Sequence, residues 1–233
     1  MGTYLLVHGC NQGGWIWKYV AKYLRAEGHD VYTPTLDGCA ERAHQIRLEI
    51  TQDTMTEELL DYIFYYDLTD LLLVGTSSAG NIISKVADAK PELIKRLFYV
   101  DAVLLQPKEN FLQEVYQPPE DGIWIRTKEG LAVNPEILHG FNMFTTCDAE
   151  RSAWASERFS RWPANAFSRV GKEMDFWNKS WDATVINCLR SMNPATSHVK
   201  SFAERLKGRY IEMDCGHWPM VCHPEELARI LLS

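Results

Sequence analysis

Short runs of apolar residues recur along the chain, and most are bounded by glycine, proline or polar residues. Runs of four to six residues predict buried β-strands, whereas apolar positions three and four apart predict amphipathic helices. Six strands are predicted, at residues 4–7, 31–36, 71–74, 97–100, 184–189 and 210–213. Helices are predicted at residues 15–27, from a Thr54-x-x-Glu57 capping box to residue 66, at 81–87, and from Pro224 onward. This alternation indicates an α/β protein with a doubly wound, mainly parallel six-stranded sheet that binds ligands at the carboxyl ends of its strands.

Residues 103–181 interrupt the alternation between the fourth and fifth strands. This stretch is rich in tryptophan and shows helical pieces only around residues 149–160 and 164–174. We therefore expect a small helical lid, inserted before the penultimate strand into a core made of residues 1–102 and 182–233. An aromatic lid suits a bulky, aromatic small molecule, although ordinary core packing is the alternative for each ring. The candidate substrate-binding residues are Trp124, Trp154, Trp162 and Trp218.

The strand predicted at residues 71–74 runs into Gly75-Thr76-Ser77-Ser78-Ala79, and a helix follows. A serine with tiny residues two positions away on each side is typical of a nucleophile elbow, the sharp strand-to-helix turn that exposes a hydroxyl. The side chains must be small because the strand and the helix pass almost in contact. Ser77 is therefore the candidate nucleophile, and the backbone N–H of Ser78 points at the substrate from a helix N-terminus. A plain glycine–serine turn is the alternative interpretation.

A serine hydroxyl needs a neighbouring base to remove its proton. His217 is the best placed of the seven histidines, because it follows the last predicted strand and comes after the serine in chain order. His8, at the end of the first strand, is expected to be structural. Just beyond it, the backbone N–H of Cys10 can join that of Ser78 in an oxyanion hole. The Cys10 thiol as nucleophile is a minor alternative, since no neighbour in the sequence would lower its pKa.

Charge and cysteine content narrow the range of partners and compartments. A net charge of −7 with no cluster of lysine or arginine argues against nucleic acid and anionic membranes as partners. No apolar run approaches the roughly 20 residues of a membrane span, and no signal peptide is apparent. The six cysteines have no paired spacing, so we expect free thiols in a reducing cytoplasm and no metal site. The expected partner is a small-molecule substrate, bound by a monomer or a homodimer.

Four motifs make the chain resemble the α/β-hydrolases, and among them the small branch of plant methylesterases, hydroxynitrile lyases and bacterial esterases. The motifs are His8-Gly9-x-x-x-Gly13-Gly14-Trp15-x-Trp17, the elbow at Ser77, Phe98-Tyr99-Val100-Asp101-Ala102, and His217-x-Pro219-Met220-x-x-x-Pro224-x-Glu226-Leu227. The resemblance implies Ser77 as the nucleophile, His217 as the base and no cofactor. It also implies the amides of Cys10 and Ser78 as oxyanion donors. The lyases of this branch carry a lysine directly after the catalytic histidine, whereas Trp218 stands here, which favours hydrolysis.

The triad acid departs from the pattern of that family. It normally lies just after the strand that here ends near Leu189, but residues 183–203 contain neither aspartate nor glutamate. A triad without its acid loses the orientation of the imidazole and the stabilisation of its charged form. We expect Asp101, at the carboxyl end of the neighbouring strand, to supply the carboxylate, although a residue there can also simply bond loop amides. Two alternatives stay open: Asn193 or Ser191 orients the ring without charge, or the site has changed its chemistry.

These observations predict a serine hydrolase that cleaves an ester or amide bond of a bulky, aromatic small molecule through an acyl-enzyme on Ser77. Among enzymes, the alternative is a lyase or cyclase that uses the same pocket without an acyl intermediate. Outside enzymes, the alternative is a noncatalytic small-molecule-binding protein of the same fold. The substrate itself does not follow from the fold.

Overall fold

A parallel sheet of six strands runs through the molecule, as the apolar runs in the sequence predict. The structure is a computed structural model that describes residues 1–106, 143–166 and 174–233, together with the backbone of residues 124–127 and 130–133. The strands of the described residues are, in chain order, β1 (Thr3–Val7), β2 (Asp30–Tyr32), β3 (Leu71–Thr76), β4 (Ile94–Val100), β5 (Trp124–Thr127), β6 (Gly130–Val133), β7 (Trp162–Pro163), β8 (Ala183–Cys188) and β9 (Arg209–Met213). The large sheet has the order β2-β1-β3-β4-β8-β9, and all its neighbours are parallel.

Helices cover both faces of this sheet. They are, in chain order, α1 (Lys18–Ala26), α2 (Gln52–Tyr65), α3 (Ala79–Ala89), α4 (Ala149–Ser156), α5 (Thr196–Leu206), α6 (Pro219–Cys222) and α7 (Pro224–Leu231). Side chains of α2, α3 and α5 share one buried cluster with the sheet, and those of α1, α6 and α7 share another. Because both faces are covered, β3 is apolar at four successive positions instead of alternating. Within the described part of the chain, no helix is long and apolar enough to cross a membrane.

Predicted boundaries of α2 and β2 were wrong. Helix α2 begins at Gln52, because Thr51 is its N-cap and forms a capping box with Thr54, so the box predicted at Thr54 and Glu57 lies one turn too late. Strand β2 ends at Tyr32 and does not continue to residue 36. Proline has no N–H to give to a sheet, so Pro34 is consistent with that early end.

The insertion between β4 and β8 contains β-strands as well as helix. Its described residues include α4 and a three-stranded antiparallel sheet of order β5-β6-β7, which the sequence analysis did not predict. The helix predicted over residues 149–160 ends at Ser156. Of the piece predicted at 164–174, residues 164–166 form a short 3-10 turn and residues 167–173 lie outside the described residues. We call the described part of this insertion the cap.

The carboxyl ends of the parallel strands bring the candidate residues to one edge of the sheet. Ser77 follows the last residue of β3, and Asp101 follows the last residue of β4. His8 follows β1 in the same way, and His217 lies in the loop after β9. Parallel strands end at a common edge, so the fold brings together residues that are up to 209 positions apart in the sequence.

Candidate active site

The predicted strand-to-helix turn is present at Ser77. Its φ of 53° lies in the left-handed region, which non-glycine residues seldom adopt and which often marks functional sites. The turn is held by its own backbone, since the Ser77 carbonyl accepts hydrogen bonds from Gly80 N at 3.1 Å and from Val103 N at 2.9 Å. A Cβ on Gly75 would lie 3.1 Å from the carbonyl oxygen of Ala79, so the small residue is required by the close approach of strand and helix. The turn leaves Ser77 half-buried at the edge of the sheet.

A buried carboxylate contacts the candidate base. Asp101 Oδ2 lies 2.5 Å from His217 Nδ1, and the two side chains are 0% and 4% exposed. The second carboxylate oxygen accepts the backbone N–H of Cys188 at 3.1 Å. The Asp101 backbone is fixed as well, because its N–H donates to the Ile186 carbonyl at 2.8 Å and its φ is 44°. The carboxylate is therefore held between the end of β8 and the imidazole, which fixes the orientation of the ring.

The loop after β8, where the sequence resemblance places the triad acid, also reaches this ring. Ser191 Oγ lies 3.4 Å from His217 Nδ1 and donates its proton to the Asn193 carbonyl at 3.2 Å, so its oxygen is free to accept. The side-chain oxygen of Asn193 is buried without a hydrogen-bond partner among the described residues. Of the three candidates for orienting the imidazole, the structure thus brings Asp101 closest, brings Ser191 to a longer distance, and does not pair the Asn193 side chain with the ring.

Ser77 and His217 are not hydrogen-bonded to each other within the part of the chain that the structure describes. Catalytic hydrogen bonds are often long in a protein without substrate and tighten when substrate binds. The missing Ser77–His217 hydrogen bond is therefore compatible with His217 as the base. Its Nδ1 faces Asp101, which leaves Nε2 as the ring nitrogen that can take the serine proton.

The loop after β1 packs directly on the nucleophile. A Cβ on Gly9 would lie 2.6 Å from the Cβ of Ser77 and 3.3 Å from its Oγ, so the backbone just before Cys10 touches the candidate nucleophile. The Gly9 N–H donates to the Oε1 of the buried Gln12 at 2.8 Å, which fixes the loop. On the other side, Ser78 is the N-cap of α3. Cys10 and Ser78 therefore belong to the two elements that adjoin Ser77, and the role of their N–H groups as oxyanion donors stays a prediction.

The Cys10 side chain is a poor alternative nucleophile. Burial is the main cause, and the neighbouring Cys39 a smaller one, that raises the pKa of the Cys10 thiol well above its ordinary value. The thiolate is the reactive form of cysteine, so this shift makes Cys10 less reactive. The thiol donates to Asn11 Oδ1 at 2.6 Å. These facts favour the serine over the cysteine as the attacking group.

His8 is fixed as a neutral structural histidine. Its Nδ1–H donates to the Gly9 carbonyl at 2.8 Å, and its Nε2 accepts the backbone N–H of Leu36 at 2.9 Å. Burial lowers the pKa of His8 to about 4 from 6.5. The histidine therefore connects the loop of residues 8–14, called the oxyanion loop after its expected role, to the loop after β2, as expected for a structural residue.

This burial predicts a loss of stability in mild acid. The unfolded chain takes up a proton on His8 near pH 6.5, whereas the folded protein resists it until about pH 4. The stabilisation is therefore fully present above pH 6.5 and declines as the pH falls, by about 2 kcal/mol between pH 7 and pH 5. Urea denaturation of the wild type and of His8→Gln across this range measures the difference. The variant is expected to have the flatter pH dependence, and parallel curves would show that His8 does not contribute.

The candidate tryptophans occupy different environments. Trp162 and Trp218 are 0% and 1% exposed, so neither ring offers a face to solvent. Trp218 packs against the rings of Trp15, Phe144 and Phe159, with centroids 4.8–6.1 Å away. Trp162 meets the His8 ring edge to face, with the ring centroids 6.3 Å apart. Both rings therefore pack among the side chains around the site, and their contact with a substrate stays a prediction.

The other two candidate rings are less constrained by the structure. Trp154 is half-buried and meets the edges of Trp15 and Tyr19 at centroid distances of 5.4 Å and 5.1 Å. The side chain of Trp124 lies outside the described residues, although its backbone belongs to β5. Substrate contact stays a prediction for both rings.

Within the described ranges, no group of three or more histidine, cysteine, aspartate or glutamate side chains is arranged to hold a metal ion. The same residues contain no cysteine in a disulfide.

Sequence reasoning missed two residues that shape the site. Asn11 and Gln12 are polar, yet they are 0% and 1% exposed in the loop that packs on Ser77. The sequence signal that could have identified them is the presence of two adjacent amide side chains inside the glycine-rich motif. Ser160, which contacts Asn11, had no signal in the sequence because its position depends on the fold of the cap.

The known proteins that this chain is similar to include hydrolases and esterases. Residues 4–230 match the Alpha/beta hydrolase family. The chain is 36% identical over 253 residues to the carbendazim hydrolyzing esterase of Nocardioides sp. (strain SG-4G), an alignment that covers 100% of this chain and 99% of that protein. An extracellular alpha/beta-hydrolase from a Paenibacillus species superimposes with a TM-score of 0.81 at 20% identity, and a methylesterase from Arabidopsis with 0.79 at 17%. Each structural match covers 100% of this chain and 98% of the other, and at these identities it shows the shared fold.

Proposed function

Because this chain belongs to the alpha/beta-hydrolase family, and is similar over its whole length to an esterase, we propose that it is a serine esterase acting on a bulky aromatic small molecule. The observation that carries the proposal is the buried Asp101–His217 pair beside the strained turn at Ser77. A carboxylate, an imidazole and a serine hydroxyl at one sheet edge are the three groups that acyl transfer needs. The aromatic residues of the cap support an aromatic substrate.

The proposed mechanism follows from these positions. Ser77 Oγ attacks the carbonyl carbon while His217 Nε2 takes its proton, and Asp101 stabilises the positive charge that develops on the ring. The backbone N–H groups of Cys10 and Ser78 receive the negative charge that develops on the carbonyl oxygen. His217 then gives the proton to the leaving alcohol, which departs and leaves an ester on Ser77. A water molecule, deprotonated by the same histidine, releases the acid and restores the serine.

The substrate class that we propose is esters and carbamates of aromatic ring systems. The relative that is 36% identical is named for carbendazim, which carries a methyl carbamate on a benzimidazole ring. Attack by Ser77 on this carbamate would release methanol and leave a carbamoyl group on the serine. Water would then release a carbamic acid, which breaks down to carbon dioxide and the aromatic amine. Indoles and phenyl rings of the cap are suitable neighbours for such a flat heterocycle.

The proposal is tested by a substrate panel. Nitrophenyl esters of increasing acyl size, the matching anilides, and carbendazim are each incubated with the wild-type protein, and the released phenol, aniline or methanol is measured. We expect turnover of esters and of the carbamate, with kcat/KM higher for aromatic than for short acyl groups. A protein that binds these compounds but turns none of them over would instead support the noncatalytic alternative. Product formation without any consumption of water would support the lyase alternative.

A further inference from the structure

The oxyanion loop is attached to the cap at Asn11. The side chain of Asn11 is fully buried, and its Nδ2–H donates to the backbone carbonyl of Ser160 at 2.6 Å. In return, the Ser160 N–H donates to the Asn11 carbonyl at 3.1 Å. These two residues are 149 positions apart, and their two bonds form a reciprocal pair between the loop after β1 and the segment before β7. Nothing in the proposed mechanism uses this pair directly.

Asn11 also fixes the residue that precedes it. Its Oδ1 accepts the Cys10 S–H at 2.6 Å, and its φ of 62° turns the chain immediately after the Cys10 peptide. On the other side of Cys10, Gly9 is fixed by Gln12 and by its contact with Ser77. The Cys10 N–H, a proposed oxyanion donor, is thus held by a fixed residue on each side. Asn11 is one of the few residues besides glycine that adopt this backbone conformation readily.

The cap side of the pair is also anchored. Ser160 Oγ accepts the backbone N–H of Ala40 at 2.9 Å, which ties it to the loop after β2. Two residues further on, Trp162 is fully buried and meets the ring of His8 edge to face. Ser160 therefore presents its carbonyl to Asn11 from a fixed position.

We propose that Asn11 is a positioning residue that aims the Cys10 N–H at the substrate oxyanion by binding the cap backbone at Ser160. The inference rests on the proposed function and extends it, because it makes a seated cap a condition for a complete oxyanion hole. An oxyanion donor acts on charge that appears only in the transition state. Displacing it is therefore expected to lower kcat and to leave KM nearly unchanged, whereas a merely structural residue would change stability alone.

Two variants separate the roles of the Asn11 side chain. Asn11→Asp keeps the shape and the acceptor for the Cys10 thiol, but it replaces the amide donor with an oxygen that faces the Ser160 carbonyl. Asn11→Gly keeps access to the left-handed backbone and removes both side-chain contacts, so it is informative even if the aspartate variant does not fold. The matched control is Asn165→Asp, since Asn165 Nδ2 donates to the Leu48 carbonyl at the same 2.6 Å and joins the cap to the core away from the oxyanion loop.

Three quantities are measured for each protein: kcat and KM with a nitrophenyl ester, the inhibition constant of an aryl boronic acid, and the thermal midpoint. Boronic acids form a tetrahedral adduct on serine with an oxygen in the oxyanion hole, so their affinity reports on that hole. We expect both Asn11 variants to lose about 10- to 100-fold in kcat, with boronate affinity falling in parallel and KM changing less than about threefold. Asn165→Asp is expected to keep wild-type kcat and boronate affinity.

Wild-type kcat and boronate affinity in both Asn11 variants would overturn the inference, and so would equal losses in Asn165→Asp. Either result leaves the proposed function standing, because the wild type still turns over the ester. A wild-type protein without ester turnover would instead contradict the proposed function itself.

Discussion

Replacing Ser77 with alanine is expected to lower kcat for ester hydrolysis on the order of 10⁶-fold, the loss measured when a serine protease loses its nucleophile. The physical reason is the geometry of the turn, whose left-handed backbone carries Ser77 Oγ to the sheet edge where Gly9 packs against it. Without the hydroxyl no acyl-enzyme forms. Residual catalysis from the oxyanion hole and from substrate binding is expected to remain, on the order of 10³-fold over water.

The matched control for this variant is Ser84→Ala in α3, the helix that follows the turn. Ser84 is fully buried and its hydroxyl bonds the Gly80 carbonyl and the Tyr99 hydroxyl, so its loss is expected to lower stability by about 1 kcal/mol and to leave kcat unchanged. Single-turnover kinetics and thermal unfolding of both variants make the comparison. A Ser77→Ala protein with more than about a tenth of wild-type kcat would contradict the assignment of the nucleophile.

The second large effect is expected at Asp101. Asp101→Asn keeps the volume of the side chain, but one of its two groups must still accept the Cys188 N–H, as Asp101 Oδ1 does now. The amide oxygen satisfies that donor, so the NH₂ group turns toward His217 Nδ1. The ring must then accept at Nδ1 and carry its proton on Nε2, where it cannot take the proton of Ser77. We expect kcat to fall by about 10²- to 10⁴-fold with little change in KM.

Ser191 offers a rescue of that variant. Its Oγ lies 3.4 Å from His217 Nδ1, in the loop where the family normally carries its acid. Adding Ser191→Asp to Asp101→Asn therefore returns a carboxylate to the ring, and we expect kcat to recover by about tenfold or more relative to the single variant. Asn193→Ala is expected to have little effect on kcat. Normal turnover by Asp101→Asn, together with a severe loss in Ser191→Ala, would show that an uncharged partner orients the ring.

The fold was predictable because its signals are local. Each core strand is a short apolar run, and the elbow needs small residues only at Gly75 and Ala79, so neither depends on distant contacts. The start of α2 was misplaced because Thr51 and Thr54 form the cap, a pair without the usual acidic or amide residue at its second position. The cap strands were missed because they are only two to four residues long.

The candidate site was predictable only in part. Residues 183–203 contain no acidic residue, which left few places for a triad carboxylate. Asp101 ends the neighbouring strand, so a contact between Asp101 and His217 could be predicted from the sequence. The role that we propose for Asn11 could not be predicted from the sequence, because it depends on the position of the Ser160 carbonyl in the folded cap. The environments of Trp162 and Trp218 were not predictable either, since a tryptophan in the core and one in a pocket wall have the same local pattern.

Ser77 is the residue that we propose forms the covalent intermediate, and labelling with an active-site phosphonate identifies that residue. The wild type, Ser77→Ala and Asp101→Asn are incubated with a fluorophosphonate, and the modified residue is identified by mass spectrometry of the intact protein and its peptides. We expect one adduct per wild-type chain, on Ser77, with slower labelling of Asp101→Asn and none of Ser77→Ala. An adduct on Cys10, or ester turnover by a wild-type protein that is not labelled at Ser77, would contradict this assignment.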